Sequence, residues 1–221
     1  IKIKKVVFFG CPCQVSAVKN LIGNETNNLI CIDLVCHGVP SMHMLNSQLR
    51  RITISRIESI SFRKRLSFTL EVFDEKHNKF SIDGYDNPYY ALFLSFTTLR
   101  ESCYQCPYAQ RKRAGDITLG DYVEDGKGYS CVIINSLKGE SLFQSIYNRI
   151  SFEKKDSELL NKNDALNHPT TRNSMVDKFL SRYSKNGLFY AYYRTFPLFV
   201  IKRFVRKTLG DKIYESMKKI K

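Results

Sequence analysis

The chain has 221 residues, 43% of them hydrophobic, and a formal net charge of +14 from 35 Lys or Arg against 21 Asp or Glu. That size can bury a real core in one domain, or in one domain plus a tail. No stretch approaches the roughly 18 apolar residues of a membrane span, and the first apolar run, Val6 to Phe9, is too short for a secretory leader; a cytoplasmic protein is expected.

The chain opens IKIKKVVFFG, straight into an apolar run that ends in glycine, and we expect a domain cut from a longer polypeptide with a segment upstream. CPCQVSAVKNLIG (11–23) follows with helical spacing at Val15, Val18, Leu21 and Ile22, and LICIDLVC (29–36) reads as a buried strand. Strand, helix and strand with tight turns make a parallel βαβ unit. SMHMLNSQLRRI after Pro40 predicts a second helix. IESISFR, SFTLEVFD and KFSIDGY predict three strands, with DEKHN as the hairpin turn between the last two. NPYYALFLSFTTLR (87–100) reads as an aromatic helix, CYQCPYAQRKRAG (103–115) as a loop, and DITLGDY and SCVIINS as strands. KGESLFQSIYNRI predicts a helix and FEKKD (152–156) a last short strand. The fold class expected is α/β: a mixed sheet opening with a parallel βαβ unit, and a helical C-terminal tail.

From residue 157 the pattern turns helical and basic, with fourteen Lys or Arg against four Asp or Glu from Lys162 to Lys221 and a break at Pro197. We therefore set one domain at 1–156 and a basic tail at 157–221. In the tail, apolar and aromatic residues from Leu188 to Phe204 alternate with Arg194, Lys202, Arg203, Arg206 and Lys207. Such a tail either packs on the core or lies on an anionic membrane surface, peripheral to the inner face. A basic excess attracts polyanions, anionic lipid or an acidic partner, and it also describes an ordinary solvated face. No arrangement suggests base reading, so nucleic acid is not expected as a partner.

Seven cysteines in a cytoplasmic-type chain point to metal binding or catalysis rather than disulfides. Cys13 follows the first strand and Cys36 ends the second, so a parallel pair delivers both to one sheet edge. Cys103 and Cys106 form C-x-x-C-P in a loop able to cross that edge. Four thiolates suit a [4Fe–4S] cluster and equally a four-cysteine zinc site. Cys11, two residues before Cys13, is either a rival ligand or a bystander. Cys31 and Cys131 lie in apolar strands and read as core. His37, beside Gly38, is a ligand, a proton donor or a structural turn residue. Asp116 and Asp121 frame DITLGD as cofactor-hydroxyl ligands or strand-end caps, and the Arg63-Lys64-Arg65 run holds a phosphate or is a solvated turn.

The strings FFGCPCQ, DLVCHGVPS, ISFRKR, RESCYQCPYA and GDITLGDY, in that order, resemble the coenzyme F420 hydrogenase/dehydrogenase beta-subunit family, C-terminal domain, over about residues 5–140. The resemblance implies an oxidoreductase that binds a [4Fe–4S] cluster and FAD and passes electrons between iron–sulfur centres and a flavin or deazaflavin. It matches Cys13, Cys36, Cys103 and Cys106 to the family cysteines and leaves Cys11 as an extra. Where the family continues the Asp121 motif to an aromatic and Trp, this chain has Tyr122-Val123 and no Trp at all. The resemblance also implies a ferredoxin-like electron donor, separate or fused upstream, and relatives of the bacterial polysaccharide-locus type. Against the redox reading stand a structural or regulatory zinc module built on the same four cysteines and a non-enzymatic basic protein docked on a membrane.

Overall fold

The computed structural model describes residues 5–23, 28–64 and 67–210; Arg65 of the basic run and the opening residues 1–4 lie outside them. The chain forms two compact units, Ile1–Gly38 with Glu101–Thr170, and Val39–Arg100 with Thr171–Lys221.

The first unit is built on a four-stranded mixed sheet of β1 (Val6–Gly10), β2 (Leu29–Leu34), β6 (Ile117–Glu124) and β7 (Lys127–Ile134), in that spatial order. β1, β2 and β6 run parallel and β7 returns antiparallel to β6 through Asp125 and Gly126, both at positive φ. Helix α1 (Pro12–Ile22) links β1 to β2, completing the expected βαβ opening. Its Val15 is fully buried against Leu29 and Cys31, a small apolar core that continues through Phe8, Val18 and Ala114. Cys31 is core, as its strand context suggested; Cys131, on β7, is only half-buried. Helix α4 (Leu137–Gln144) packs so tightly at Gly139 that a Cβ there would lie 2.1 Å from the Asp116 carbonyl oxygen. Residues 152–156 form no strand: Lys155 reaches Glu124 (3.0 Å) and Glu153 (2.9 Å) through its side chain, with no backbone ladder. Two 3-10 turns, Ser157–Lys162 and Asp164–Leu166, follow.

The second unit has an antiparallel sheet of β3 (Ile57–Lys64), β4 (Ser67–Asp74) and β5 (Lys79–Asp83), with helices α2 (Met42–Ile52), α3 (Pro88–Leu94) and α5 (Met175–Thr195) supplying its core. Phe179 of α5, Leu70 and Val72 of β4 and Leu92 of α3 are almost wholly buried there. α3 stops at Leu94 rather than running to residue 100, because Phe96 takes a positive φ of 55° and the Thr97 N–H turns back to the Leu92 carbonyl. Gly187, at φ 76°, kinks α5, and Pro197 opens a separate helix α6 (Pro197–Leu209). No helix among the described residues is long and apolar enough to cross a membrane.

Candidate functional site

Every cysteine expected to be a ligand belongs to the first unit. β1 ends at Gly10, and Cys11 alone turns the chain into α1. Cys11 caps the helix, and its carbonyl accepts the N–H groups of Gln14 (2.9 Å) and Val15 (3.0 Å). Pro12 sits in the first turn, where a missing N–H costs nothing. The Gln14 Oε1 accepts the Cys11 N–H at 2.8 Å, closing the turn on itself. Cys13 thus stands, exposed, in the first turn of α1, at the helix end whose partial positive charge favours anionic sulfur.

The register of β1 against β2 pairs Gly10 with Asp33, so both strands release their next residues at one edge of the sheet. The Val35 N–H still pairs with the Leu119 carbonyl (2.8 Å), and Cys36 follows, half-buried. Cys103 closes a 3-10 turn, Glu101–Cys103, and the Ala109 N–H folds back to the Cys106 carbonyl at 3.3 Å.

The thiols act on one another. Cys11 and Cys36 share a hydrogen bond, which pulls Cys11 down to about 7 against the opposing effects of burial and of the Cys13 and Cys103 sulfurs. The same bond, with burial, pushes Cys36 up. Cys13 is raised by burial and feels the sulfurs of Cys36 and Cys106. Cys13 and Cys36 thus leave the sheet at one edge, with Cys11 hydrogen-bonded to Cys36, and the loop of Cys103 and Cys106 belongs to the same unit. Among the described residues no group of three or more His, Cys, Asp or Glu is already arranged to hold a metal ion. The chemistry of the donors is nonetheless that of a soft-metal site, since a set of thiolates selects iron–sulfur clusters or zinc over hard cations.

Beneath this edge lies a buried polar brace that motif reading passes over. Asp33, wholly buried on β2, accepts from the Thr118 hydroxyl (2.5 Å), the Gly115 N–H (2.9 Å) and Arg113 Nη2 (3.4 Å). The Arg113 side chain is 1% exposed. Its guanidinium also donates to the carbonyls of Leu34 (3.0 Å), Tyr108 (3.0 Å) and Gln110 (3.3 Å). One cation thus ties the strand end before Cys36 to the loop after Cys106, and its charge favours the Cys36 thiolate. The signal for Asp33 was a lone acid inside an apolar strand, which requires a buried partner. Nothing marked Arg113 among its basic neighbours.

The other expected site residues are placed differently. Asp116 is buried, and its oxygens take the Cys31 N–H (2.8 Å) and the Ser136 hydroxyl (2.8 Å), with Lys19 at 3.8 Å. Asp121 is exposed on β6. Arg63 belongs to the second unit, exposed on β3, with its guanidinium 4.8 Å over the Phe68 ring. The His37 carbonyl accepts the Thr170 hydroxyl (2.6 Å), while Arg111 reaches Asn167 (3.4 Å) and Asn161, so residues 157–170 lie along the C-x-x-C loop and the Cys36 turn.

A search of curated proteins finds no match. Among solved structures, a chain of the F420-reducing [NiFe] hydrogenase complex from Methanosarcina barkeri, studied by xenon derivatization, is similar at 19% identity and a TM-score of 0.46; the alignment covers 86% of this chain and 66% of that one. The family model for the C terminus of the coenzyme F420 hydrogenase/dehydrogenase beta subunit matches residues 3–158, a span that takes in Cys11, Cys13, Cys36, Cys103 and Cys106 and the Asp33–Arg113 brace. The chain belongs to the coenzyme F420 hydrogenase/dehydrogenase beta-subunit family, through its C-terminal domain.

Proposed function

We propose that this chain is an electron-transfer oxidoreductase domain in which Cys13, Cys36, Cys103 and Cys106 hold a [4Fe–4S] cluster beside a flavin, FAD or a deazaflavin. Membership of a hydrogenase/dehydrogenase family supports a redox role. The observation that carries the reading is the sheet edge itself, where parallel β1 and β2 release Cys13 and Cys36 together and Arg113 ties that edge to the loop after Cys106. A cluster held there would take one electron at a time, and a flavin, which takes two as hydride and can release them singly, would supply the conversion between hydride and one-electron transfer.

Two features at this edge favour anionic sulfur, against the Cys11 hydrogen bond that raises Cys36 and the burial that raises both it and Cys13. The α1 N-terminus and the buried Arg113 guanidinium both favour negative sulfur at this edge. Arg113 is held by Asp33 and by the carbonyls of Leu34, Tyr108 and Gln110, so its charge does not move away as the site changes oxidation state. For the flavin, Asp121 of the first unit is the candidate contact, a hydroxyl acceptor; Asp116 keeps the strand-cap role, its oxygens being taken up within the unit. The basic surface suits an acidic ferredoxin-like donor, separate or fused upstream. A service to polysaccharide biosynthesis follows from the resemblance to relatives of that type, and the reading places the chain in the cytoplasm.

Anaerobic reconstitution with ferrous iron and sulfide tests the reading. The wild type should gain a broad absorbance near about 400 nm, and Cys13→Ser should lose most of it while Cys11→Thr keeps it. Binding of zinc by the same four cysteines with no cluster formed would replace the proposal by a structural zinc module.

A further inference from the structure

We infer that helix α6 is a membrane-interface helix that docks the second unit on an anionic lipid surface. The two sides of α6 are used differently. Its inner side belongs to the unit: Val200 packs on the core, Phe199 lines a small apolar cavity with Tyr85, Leu92 and Tyr192, and Arg203 pairs with Asp83 (3.0 Å) and Asp86 (2.9 Å). Lys207 adds a second cation to Asp86 at 3.5 Å. The outer side should then be polar, as in an ordinary surface helix. It is not: Leu198 is 71% exposed, Ile201 52% and Phe204 66%, at the three-residue spacing that keeps side chains on neighbouring stripes of one helix.

Charge identifies the occupant. Lys202 and Arg206, four residues apart, are exposed along one edge of the apolar stripe, and α6 contains no acidic residue. Rings and aliphatic chains beside a row of basic residues are what an interfacial helix needs, with the apolar stripe entering the acyl boundary and the cations at the headgroups. A second copy of this chain fits poorly, because pairing the stripe with itself would bring Lys202 and Arg206 against their own equivalents. The inner-side ion pairs set the helix orientation without engaging Lys202. The inference is independent of the redox assignment, because it uses only residues of the second unit.

The test is co-sedimentation of the full chain with phosphatidylcholine vesicles, with and without about one third phosphatidylglycerol, at low and high salt. The inference expects pelleting with the anionic vesicles only, weakened by salt, and about fivefold weaker partitioning for Lys202→Gln. Leu198→Asp and Ile201→Asp should abolish pelleting while the circular dichroism spectrum stays that of wild type, since both positions are exposed. Failure to pellet at low salt, equal binding to neutral vesicles, or a soluble dimer that Ile201→Asp dissociates would each overturn it.

Discussion

Replacing Asp33 by Asn keeps its shape and removes its charge, and it should be among the most damaging single changes in the first unit. Each group facing the carboxylate donates: the Gly115 N–H, the Arg113 guanidinium, and the Thr118 hydroxyl, whose own oxygen faces donors from Asn135 (2.9 Å) and Arg113 Nε (3.3 Å). An amide presents two hydrogens to a site that requires an acceptor. It also leaves Arg113 buried without a counter-charge. Removing one member of a buried pair costs about 3–5 kcal/mol, whereas replacing both by apolar groups is often neutral. Asp33→Asn should therefore destabilise by about 3–5 kcal/mol. Arg113→Lys should cost nearly as much, because an ammonium keeps the charge yet cannot reach Leu34, Tyr108, Gln110 and Asp33 together. The double change Asp33→Leu with Arg113→Met should cost less than the two singles added. Urea titration followed by far-ultraviolet circular dichroism reads these losses, and a double-mutant cycle isolates the coupling. Losses below about 1 kcal/mol, or strict additivity, would refute the claim that this pair braces the cysteine edge.

Alanine at Cys36, Cys103 or Cys106 should each remove most of the bound iron after anaerobic preparation, whereas Cys31→Ala and Cys131→Ala should retain it; full iron in two of the first three defeats the ligand set. Gly139→Ala forces a Cβ to within 2.1 Å of the Asp116 carbonyl oxygen, and a loss of at least about 2 kcal/mol is expected in thermal or urea unfolding. Burial resists ionisation of Asp74, but hydrogen bonds from Asn78, Thr53 and the Lys76 N–H outweigh it and hold its carboxyl below the ordinary value of 3.8. Its contribution to stability is thus present above that value and lost as pH falls through the lower folded one. Asp74→Asn should flatten the acid limb of the stability curve, and an unchanged limb would show that Asp74 plays no part in it.

The βαβ opening was legible because apolar runs bounded by glycine and a helical period at Val15, Val18 and Ile22 are local signals. The common edge of Cys13 and Cys36 was legible because parallel strands in register release their next residues together, whereas the C-x-x-C of Cys103 and Cys106 announces a loop and not its destination. The brace was half legible: Asp33 is conspicuous inside LICIDL, but Arg113 is one of three basic residues in RKR, and only three-dimensional contacts separate it from Arg111 and Lys112. The aromatic run 87–100 reads as one helix because its side chains suit burial; the turn at Phe96 is a backbone event that no side-chain pattern announces. For FEKKD, five residues are too few to show a period of two, and the actual contacts run through the Lys155 side chain. Phe179 and Leu188 reveal that a face of α5 is buried, but an amphipathic period never states against what, so its place beside β4 and α3 had to come from the structure.

The central claim is that thiolates at one sheet edge hold an iron–sulfur cluster. The most direct measurement is the iron, acid-labile sulfide and zinc content of the protein prepared without oxygen. The account predicts about four irons and four sulfides per chain in a brown protein, with both falling together in Cys36→Ala. A colourless protein with one zinc and no sulfide would contradict it.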